Sequence, residues 1–234
     1  MKESCQKNHI SLPEEFSERM KIRLGQEWEA FLEACSLPPK RGLRLNLQKV
    51  EANPDFPLEK WKENWKLEEL IKESSREYLC DEEYLQSIGV QIGHDAYHEA
   101  GLYYIQDPSA MSVVPYMEIR PFDRCLDLCA SPGGKSLQIA DRLKTEEGGI
   151  LLSNEFIMER AKNLSKNVER MGYSHVAVSS CSAEELEAQF PAFFSRILVD
   201  APCSGEGMFR KNPEAIADWS LEKVSQCAGP VSYT

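Results

Sequence analysis

From residue 101 onward, short apolar runs alternate with segments in which apolar residues recur at helical spacing. This alternation is typical of βαβ units, in which each strand returns to a parallel sheet through a helix. Strands are predicted at residues 125–130, 149–155, 175–179 and 196–202. Helices are predicted at 134–143, 157–171, around 184–189 and from 213 to about 227. The sequence therefore predicts an α/β domain with about four parallel strands.

The first hundred residues give a weaker pattern. Apolar residues at helical spacing predict one helix before Gly25 and a second that stops at Pro38. Leu43, Leu45 and Leu47 alternate with polar residues, which predicts a short strand within residues 42–50. Residues 51–100 show no clear period. The chain is therefore divided into a helical or mixed N-terminal region, 1–100, and an α/β domain, 101–234.

Composition narrows the class of protein. No stretch approaches the ~20 apolar residues that span a bilayer, and the first ten residues lack a signal peptide's apolar run, so a cytoplasmic protein is expected. The net charge of −11 argues against binding nucleic acid over the whole surface. A local basic patch stays open at Lys40, Arg41, Arg44 and Lys49, although ordinary solvated surface charge is the favoured interpretation of that cluster.

Cysteine and histidine spacing gives no metal site. The eight cysteines include no Cys-x-x-Cys pair and are interpreted as reduced thiols. His94 and His98 have the spacing of paired ligands on a helix, but no third ligand is evident. No metal is therefore expected.

The residues after the predicted strands are candidates for a ligand site, because open parallel sheets bind ligands beyond the carboxyl ends of their strands. The first strand is followed by a turn with paired glycines: Cys129, Ala130, Ser131, Pro132, Gly133, Gly134 and Lys135. Glycines let a ligand approach the backbone, and the next helix offers free N–H groups. Glu155, which follows the second strand 22 residues beyond Gly133, can accept both hydroxyls of a ribose. Together these features indicate an adenosine-type site.

A thiol follows the fourth predicted strand. Cys203 lies in the segment Asp200-Ala201-Pro202-Cys203-Ser204-Gly205, an acidic residue and a constrained turn at the same edge of the sheet. Most single cysteines are inert core residues, but an exposed polar loop is the setting expected of a functional thiol.

A phosphate-binding loop is an alternative interpretation of the same turn. Gly134-Lys135-Ser136 ends like a Walker A loop. That loop, however, requires glycine where the sequence has Cys129, and Pro132 removes an N–H group that would contact phosphate.

Three segments carry a resemblance to a known family: DLCASPGGKSLQIA (127–140), NEFIMERAKNLSKNVERMG (154–172) and ILVDAPCSGEGMFRK (197–211). With GLYYIQDPSAM (101–111) and Arg44-x-Asn46, the chain resembles the RsmB/NOP class of RNA (cytosine-5)-methyltransferases, closest to the bacterial RsmF-like rRNA branch. The resemblance implies a Rossmann-like class I methyltransferase sheet, S-adenosyl-L-methionine as cofactor and RNA, in particular rRNA, as partner.

The resemblance also implies roles for single residues. Residues 129–135 would bind the cofactor, Glu155 would hold its ribose, Arg160 would support the pocket, and Asp200 would lie against the cofactor and the target base. The family often has an acid or amide after the third strand, where this chain has Ser180-Cys181-Ser182. Cys203 would assist product release.

In this family the thiolate that attacks cytosine C6 belongs to a Thr-Cys motif on a later strand, and this sequence contains no Thr-Cys dipeptide. After Ala228 the residues Gly229-Pro230 predict a helix stop. A C-terminally truncated enzyme is therefore expected, with an unpaired strand at 197–199 that promotes aggregation or needs a complementing partner. A non-catalytic protein that binds the cofactor or RNA is the second hypothesis.

Overall fold

The computed structural model describes residues 11–37, 40–71 and 76–231. Two compact units form within the chain, one from residues 40–200 and the other from the segments on either side. The strands are β1 (Arg41–Leu45), β2 (Glu68–Glu69), β3 (Glu77–Cys80), β4 (Tyr103–Gln106), β5 (Arg124–Asp127), β6 (Ile150–Asn154), β7 (Val176–Ser179) and β8 (Arg196–Leu198). The helices are α1 (Glu14–Leu24), α2 (Trp28–Ser36), α3 (Leu47–Glu51), α4 (Leu58–Asn64), α5 (Glu82–Ser87), α6 (Ala96–Glu99), α7 (Pro108–Met111), α8 (Gly134–Ala140), α9 (Met158–Met171), α10 (Ala183–Gln189), α11 (Pro213–Ala217) and α12 (Leu221–Val231).

The central unit contains an antiparallel sheet that the sequence analysis largely missed. Its order is β2-β3-β1-β4, and only part of β1 was predicted. Leu43 and Leu45 point into its core, as their alternation indicates. Leu47 does not continue the strand, because Asn46 caps α3 by accepting a hydrogen bond from the Lys49 N–H. The boundary at residue 100 stays a prediction, and β4 completes this sheet from beyond it.

The second sheet confirms the predicted α/β fold. Four parallel strands run in the order β7-β6-β5-β8. Cys125 of β5 and Leu151 of β6 are fully buried. They form one apolar cluster with Leu164 of α9 and with Leu137 and Ile139 of α8. Short buried strands alternating with helices therefore place the ends of β5, β6 and β8 side by side.

Helix α9 follows its predicted stripe. Its four buried residues are Ala161, Leu164, Val168 and Met171. Ile157, the first residue of the predicted stripe, instead precedes the helix and is exposed. Gly172 ends the helix in the left-handed region (φ 81°) and returns its N–H to the Val168 carbonyl.

The flanking unit has its own apolar cluster. Phe16 packs edge-on against Phe209 and Trp219, with ring centroids 5.0 and 5.6 Å away. The single helix predicted from 213 to about 227 is wrong: α11 ends at Ala217 and α12 begins at Leu221. The break buries Trp219, whose Nε1 donates to Glu206, and lets the Ser220 hydroxyl accept from the Lys223 N–H.

Two further features concern helix and strand ends. The stop predicted at Gly229-Pro230 is wrong, since the backbone of α12 is helical to Val231; proline in a last turn removes only one hydrogen bond. Within the described residues β8 pairs with β5 alone, and Ile197 is 56% exposed at that edge. No helix in the described parts of the chain is long and apolar enough to cross a bilayer.

Candidate functional site

The glycine turn lies between the end of β5 and the start of α8. Gly133 has φ 113°, a region that residues with a Cβ rarely adopt. A Cβ there would lie 3.0 Å from the Leu164 Cδ1 atom of α9. The Asn167 side chain, also on α9, donates to the Pro132 carbonyl at 2.8 Å. Helix α9 therefore holds the turn from one side.

Gly134, the second glycine of the turn, packs closely against β4. A Cβ on Gly134 would lie 3.2 Å from Gln106 Cδ and 3.3 Å from Tyr104 Cε1, both on β4. From the sequence, ligand approach alone explains the two glycines. An added Cβ at either position would also be in tight contact with α9 or with the antiparallel sheet, so packing favours glycine there.

Glu155 lies directly after β6, 4% exposed, beside the turn. Its Oε1 accepts from the Ile157 N–H at 3.1 Å, and Arg160 Nη2 lies 3.4 Å from its Oε2. The same Arg160 donates to the Ser131 carbonyl at 3.3 Å, while the Ser131 hydroxyl donates to the Arg160 carbonyl at 3.1 Å. The structure thus brings together Ser131, Glu155 and Arg160.

At the other end of the turn, Lys135 pairs with Asp200. The Lys135 Nζ lies 2.5 Å from the Asp200 Oδ2, and the Asp200 side chain is 58% exposed. A half-exposed carboxylate oriented by an ammonium is able to accept further hydrogen bonds from a ligand. Contacts at the two ends of the turn therefore link it to Arg160, which pairs with Glu155, and to Asp200.

Asp127 and Asn154, the last residues of β5 and β6, also lie at the strand ends that form the candidate site, and neither was predicted from the sequence. Asp127 ends β5; burial raises its pKa to about 6, and the Ser136 hydroxyl donates to its Oδ2 at 2.7 Å. Asn154 ends β6, 2% exposed, and its Nδ2 donates to the carbonyls of Leu128 and Cys181 at 3.2 and 3.0 Å. A polar residue as the last residue of an otherwise apolar strand was the available indication.

The segment after β7 is engaged in local structure. Ser182 caps α10 in a reciprocal pair with Glu185, and the Ser180 hydroxyl donates to the Phe156 carbonyl at 3.1 Å. The Cys181 N–H donates to Asn154 Oδ1 at 3.0 Å. These contacts place the backbone of 180–182 beside Phe156, which is 70% exposed.

The two predicted site cysteines differ. Cys129 is half-buried, and burial, with the nearby carboxylates of Asp127, Glu155 and Asp200, raises the pKa of its thiol. Cys203 is exposed and belongs to the flanking unit. Among the described residues no group of three or more His, Cys, Asp or Glu side chains is arranged to hold a metal ion.

Residues 114–229 match the family model of 16S rRNA methyltransferase RsmB/F, and residues 12–108 match that of the N-terminal domain of 16S rRNA methyltransferase RsmF. The chain belongs to the RsmF-like family of RNA methyltransferases. Family membership implies S-adenosyl-L-methionine as the cofactor.

Curated relatives are similar over nearly all of this chain but are longer. Ribosomal RNA small subunit methyltransferase F of Vibrio cholerae is 34% identical over 224 residues, which cover 94% of this chain and 46% of the relative. Its counterpart in Enterobacter sp. is 34% identical over 218 residues, 92% of this chain and 44% of that protein. The chain thus spans about half the length of these relatives.

Solved structures share the fold. A methyltransferase homologue from Pyrococcus horikoshii superposes with a TM-score of 0.72 at 22% identity, covering 94% of this chain and 66% of that one. NSun6 from Pyrococcus horikoshii, solved with SFG, gives a TM-score of 0.74 at 17% identity, covering 94% and 77%. The phosphate-binding-loop alternative gains no support from either comparison.

Proposed function

We propose that this chain contributes the cofactor and base-binding site for S-adenosyl-L-methionine-dependent methylation of cytosine C5 in small-subunit rRNA. The observation that supports the proposal is that the two ends of the glycine turn contact different charged side chains. At one end Ser131 contacts Arg160, which pairs with Glu155. At the other end Lys135 pairs with Asp200. A cofactor lying along the turn would have its ribose at one end and its reacting group at the other. An rRNA substrate also fits a cytoplasmic location.

The residues present fit this cofactor. Helix α8 begins at the turn with first-turn N–H groups that have no intrahelical partner. The buried carboxylate of Glu155 suits the two hydroxyls of a ribose. The bound cofactor would supply an electrophilic methyl group, which the chain has no other means to provide.

Asp200 and Lys135 would bind the base. A carboxylate accepts a hydrogen bond from the cytosine 4-amino group, and the Lys135 ammonium orients that carboxylate. Cytosine C5 is a weak nucleophile, so methylation needs a thiolate to add at C6 first. In the family that thiolate is in a Thr-Cys motif, and Cys203 assists release; the proposal assigns the release role to Cys203.

A second candidate function is a non-catalytic protein that binds the cofactor or rRNA. It is favoured by one observation, that the 234 residues contain no Thr-Cys dipeptide. The two candidates share the cofactor site and differ only in methyl transfer.

Transfer of tritiated methyl groups from S-adenosyl-L-methionine to unmodified small-subunit rRNA separates the candidates. Tritium incorporation shows methyl transfer, and bisulfite sequencing shows whether the product is 5-methylcytosine. Both signals present in wild type and lost in Asp200→Ala would support the proposed activity. Cofactor binding without transfer would favour the binding protein. Label at any other position would contradict the cytosine-5 assignment.

Cys203→Ala gives an internal test of the thiol's role. When a complementing polypeptide with the Thr-Cys motif supplies the thiolate that adds to C6, a release role predicts that the variant accumulates covalently bound RNA while cofactor affinity is unchanged. Asp55→Asn, at an exposed position away from the turn, serves as the matched control.

A further inference from the structure

A fully buried arginine of the antiparallel sheet reaches the cofactor turn. Arg44 lies on β1, 0% exposed, and its Nη1 donates to the Gly134 carbonyl at 2.9 Å. The same nitrogen lies 3.5 Å from Gln106 Oε1 on β4. The antiparallel sheet thus contacts the first residue of α8.

Neighbouring side chains hold the Arg44 guanidinium in place. Its Nε lies 3.5 Å from Asp141 Oδ2, and the Tyr173 hydroxyl donates to the other oxygen of Asp141. The Arg76 side chain donates to the Asp141 backbone carbonyl at 3.1 Å. The Tyr104 ring centroid is 5.8 Å from the guanidinium carbon. Arg44 therefore has one orientation, directed at Gly134.

Stability alone does not account for this residue. Among the described residues, the buried Arg44 Nη2 has no hydrogen-bond partner, and the buried Nε makes the 3.5 Å ion pair with Asp141 but no hydrogen bond. Burying a guanidinium with unsatisfied donors costs stability, and the ion pair with the buried Asp141 carboxylate offsets part of that cost. A role in orienting Gly134 explains why the charge lies there.

The Gly134 carbonyl is joined to the Lys135 N–H by one planar peptide. Fixing the carbonyl direction therefore fixes the direction of that N–H, one of the first-turn donors without an intrahelical partner. It also fixes the start of the Lys135 side chain, which pairs with Asp200.

We propose that Arg44 is a positioning residue for the cofactor site: it holds the Gly134–Lys135 peptide in the orientation that receives S-adenosyl-L-methionine. This inference rests on the proposed function of the turn. The antiparallel sheet is thereby part of the cofactor site although it would not touch the cofactor.

Asn46, two residues along from Arg44, offers a matched control. It is equally buried and donates to the carbonyls of Gly101 and Met171 at 3.1 and 2.8 Å, so it joins the sheet to the end of α9 without contacting Gly134. Its loss should affect stability but not the peptide before Lys135. Arg41→Gln, on the same strand with a half-exposed side chain, controls for charge.

The test is calorimetric titration of the whole folded chain with S-adenosyl-L-methionine. Arg44→Lys should weaken binding about tenfold, because an ammonium cannot reproduce the directed guanidinium bond. Asn46→Ala should lower the melting temperature yet keep the dissociation constant within about twofold, and Arg41→Gln should change neither. Hydrogen exchange at the Lys135 amide, measured without cofactor, should accelerate in Arg44→Lys alone.

Equal affinity in Arg44→Lys and wild type would overturn the inference while leaving the proposed function intact. No binding by the folded wild-type chain would overturn both. If Arg44→Lys does not fold, Asp141→Asn, which loosens the guanidinium without removing it, should give an intermediate loss of affinity; unchanged affinity there would equally reject the inference.

Discussion

Replacing Asp127 by asparagine should stabilise the protein at neutral pH. Asp127 is 1% exposed at the end of β5, and its burial raises the pKa of the carboxyl from the ordinary value of 3.8 to about 6. The folded state therefore holds the proton more tightly than the unfolded state, so this group's contribution to stability falls as pH rises from about 4 to about 6. Asparagine keeps the shape and an acceptor for Ser136 without the charge.

The magnitude follows from the two pKa values. Their difference corresponds to about 3 kcal/mol at pH 7.5, where the carboxyl is ionised in both states. At pH 5 the carboxyl is ionised mainly in the unfolded state, and roughly half of that penalty remains. The gain in unfolding free energy of Asp127→Asn over wild type should therefore about double between pH 5 and pH 7.5.

Urea denaturation followed by circular dichroism measures this difference at both pH values. Taking variant minus wild type cancels the other titrating groups. The exposed control Asp55→Asn should change the unfolding free energy by less than about 0.5 kcal/mol at either pH. A gain that does not grow with pH, or a loss of stability at pH 7.5, would refute the account of a desolvated carboxylate at the head of the turn.

Three further changes give separate expectations. Glu155→Gln should weaken S-adenosyl-L-methionine binding about tenfold in calorimetry, since a charge-assisted hydrogen bond to ribose is lost; an unchanged dissociation constant would exclude the ribose role. Gly133→Ala should lower the unfolding free energy by about 2 kcal/mol in urea, because φ is 113° and the added methyl would meet Leu164; a change below about 0.5 kcal/mol would count against that strain. Ile197→Lys should increase the monomer fraction in size-exclusion chromatography at nearly constant stability, because it charges the exposed edge of β8; an unaltered elution profile would argue against that edge as a cause of aggregation.

The parallel sheet was predictable from local pattern because each of its strands is a short apolar run bounded by helices. The positions of Glu155 and Asp200 followed, since parallel strands bring their carboxyl ends to one edge. The antiparallel sheet was not predictable, because β2 is Glu68–Glu69 and β3 begins with the buried Glu77, whose partner Gln138 lies 61 residues away. Strands this short, or with a buried charge at their start, are stabilised by distant partners that no local period shows.

The same limit applies to the site. The glycines of the turn were found, but their packing partners Tyr104 and Leu164 were not, because contacts between residues far apart in the chain leave no spacing in the sequence. Arg44 was identified as a surface charge in a basic cluster, and the structure instead buries it completely. The Arg41 and Lys49 side chains are likewise engaged, with Glu82 and with the carbonyls of Ala100 and Arg170.

A crystal structure of the chain with S-adenosylhomocysteine tests the central claim most directly. The account predicts the nucleoside beside residues 131–135, with both ribose hydroxyls within hydrogen-bond distance of the Glu155 carboxylate and the sulfur directed toward Asp200. A nucleoside bound elsewhere, or a ribose out of reach of Glu155, would contradict it.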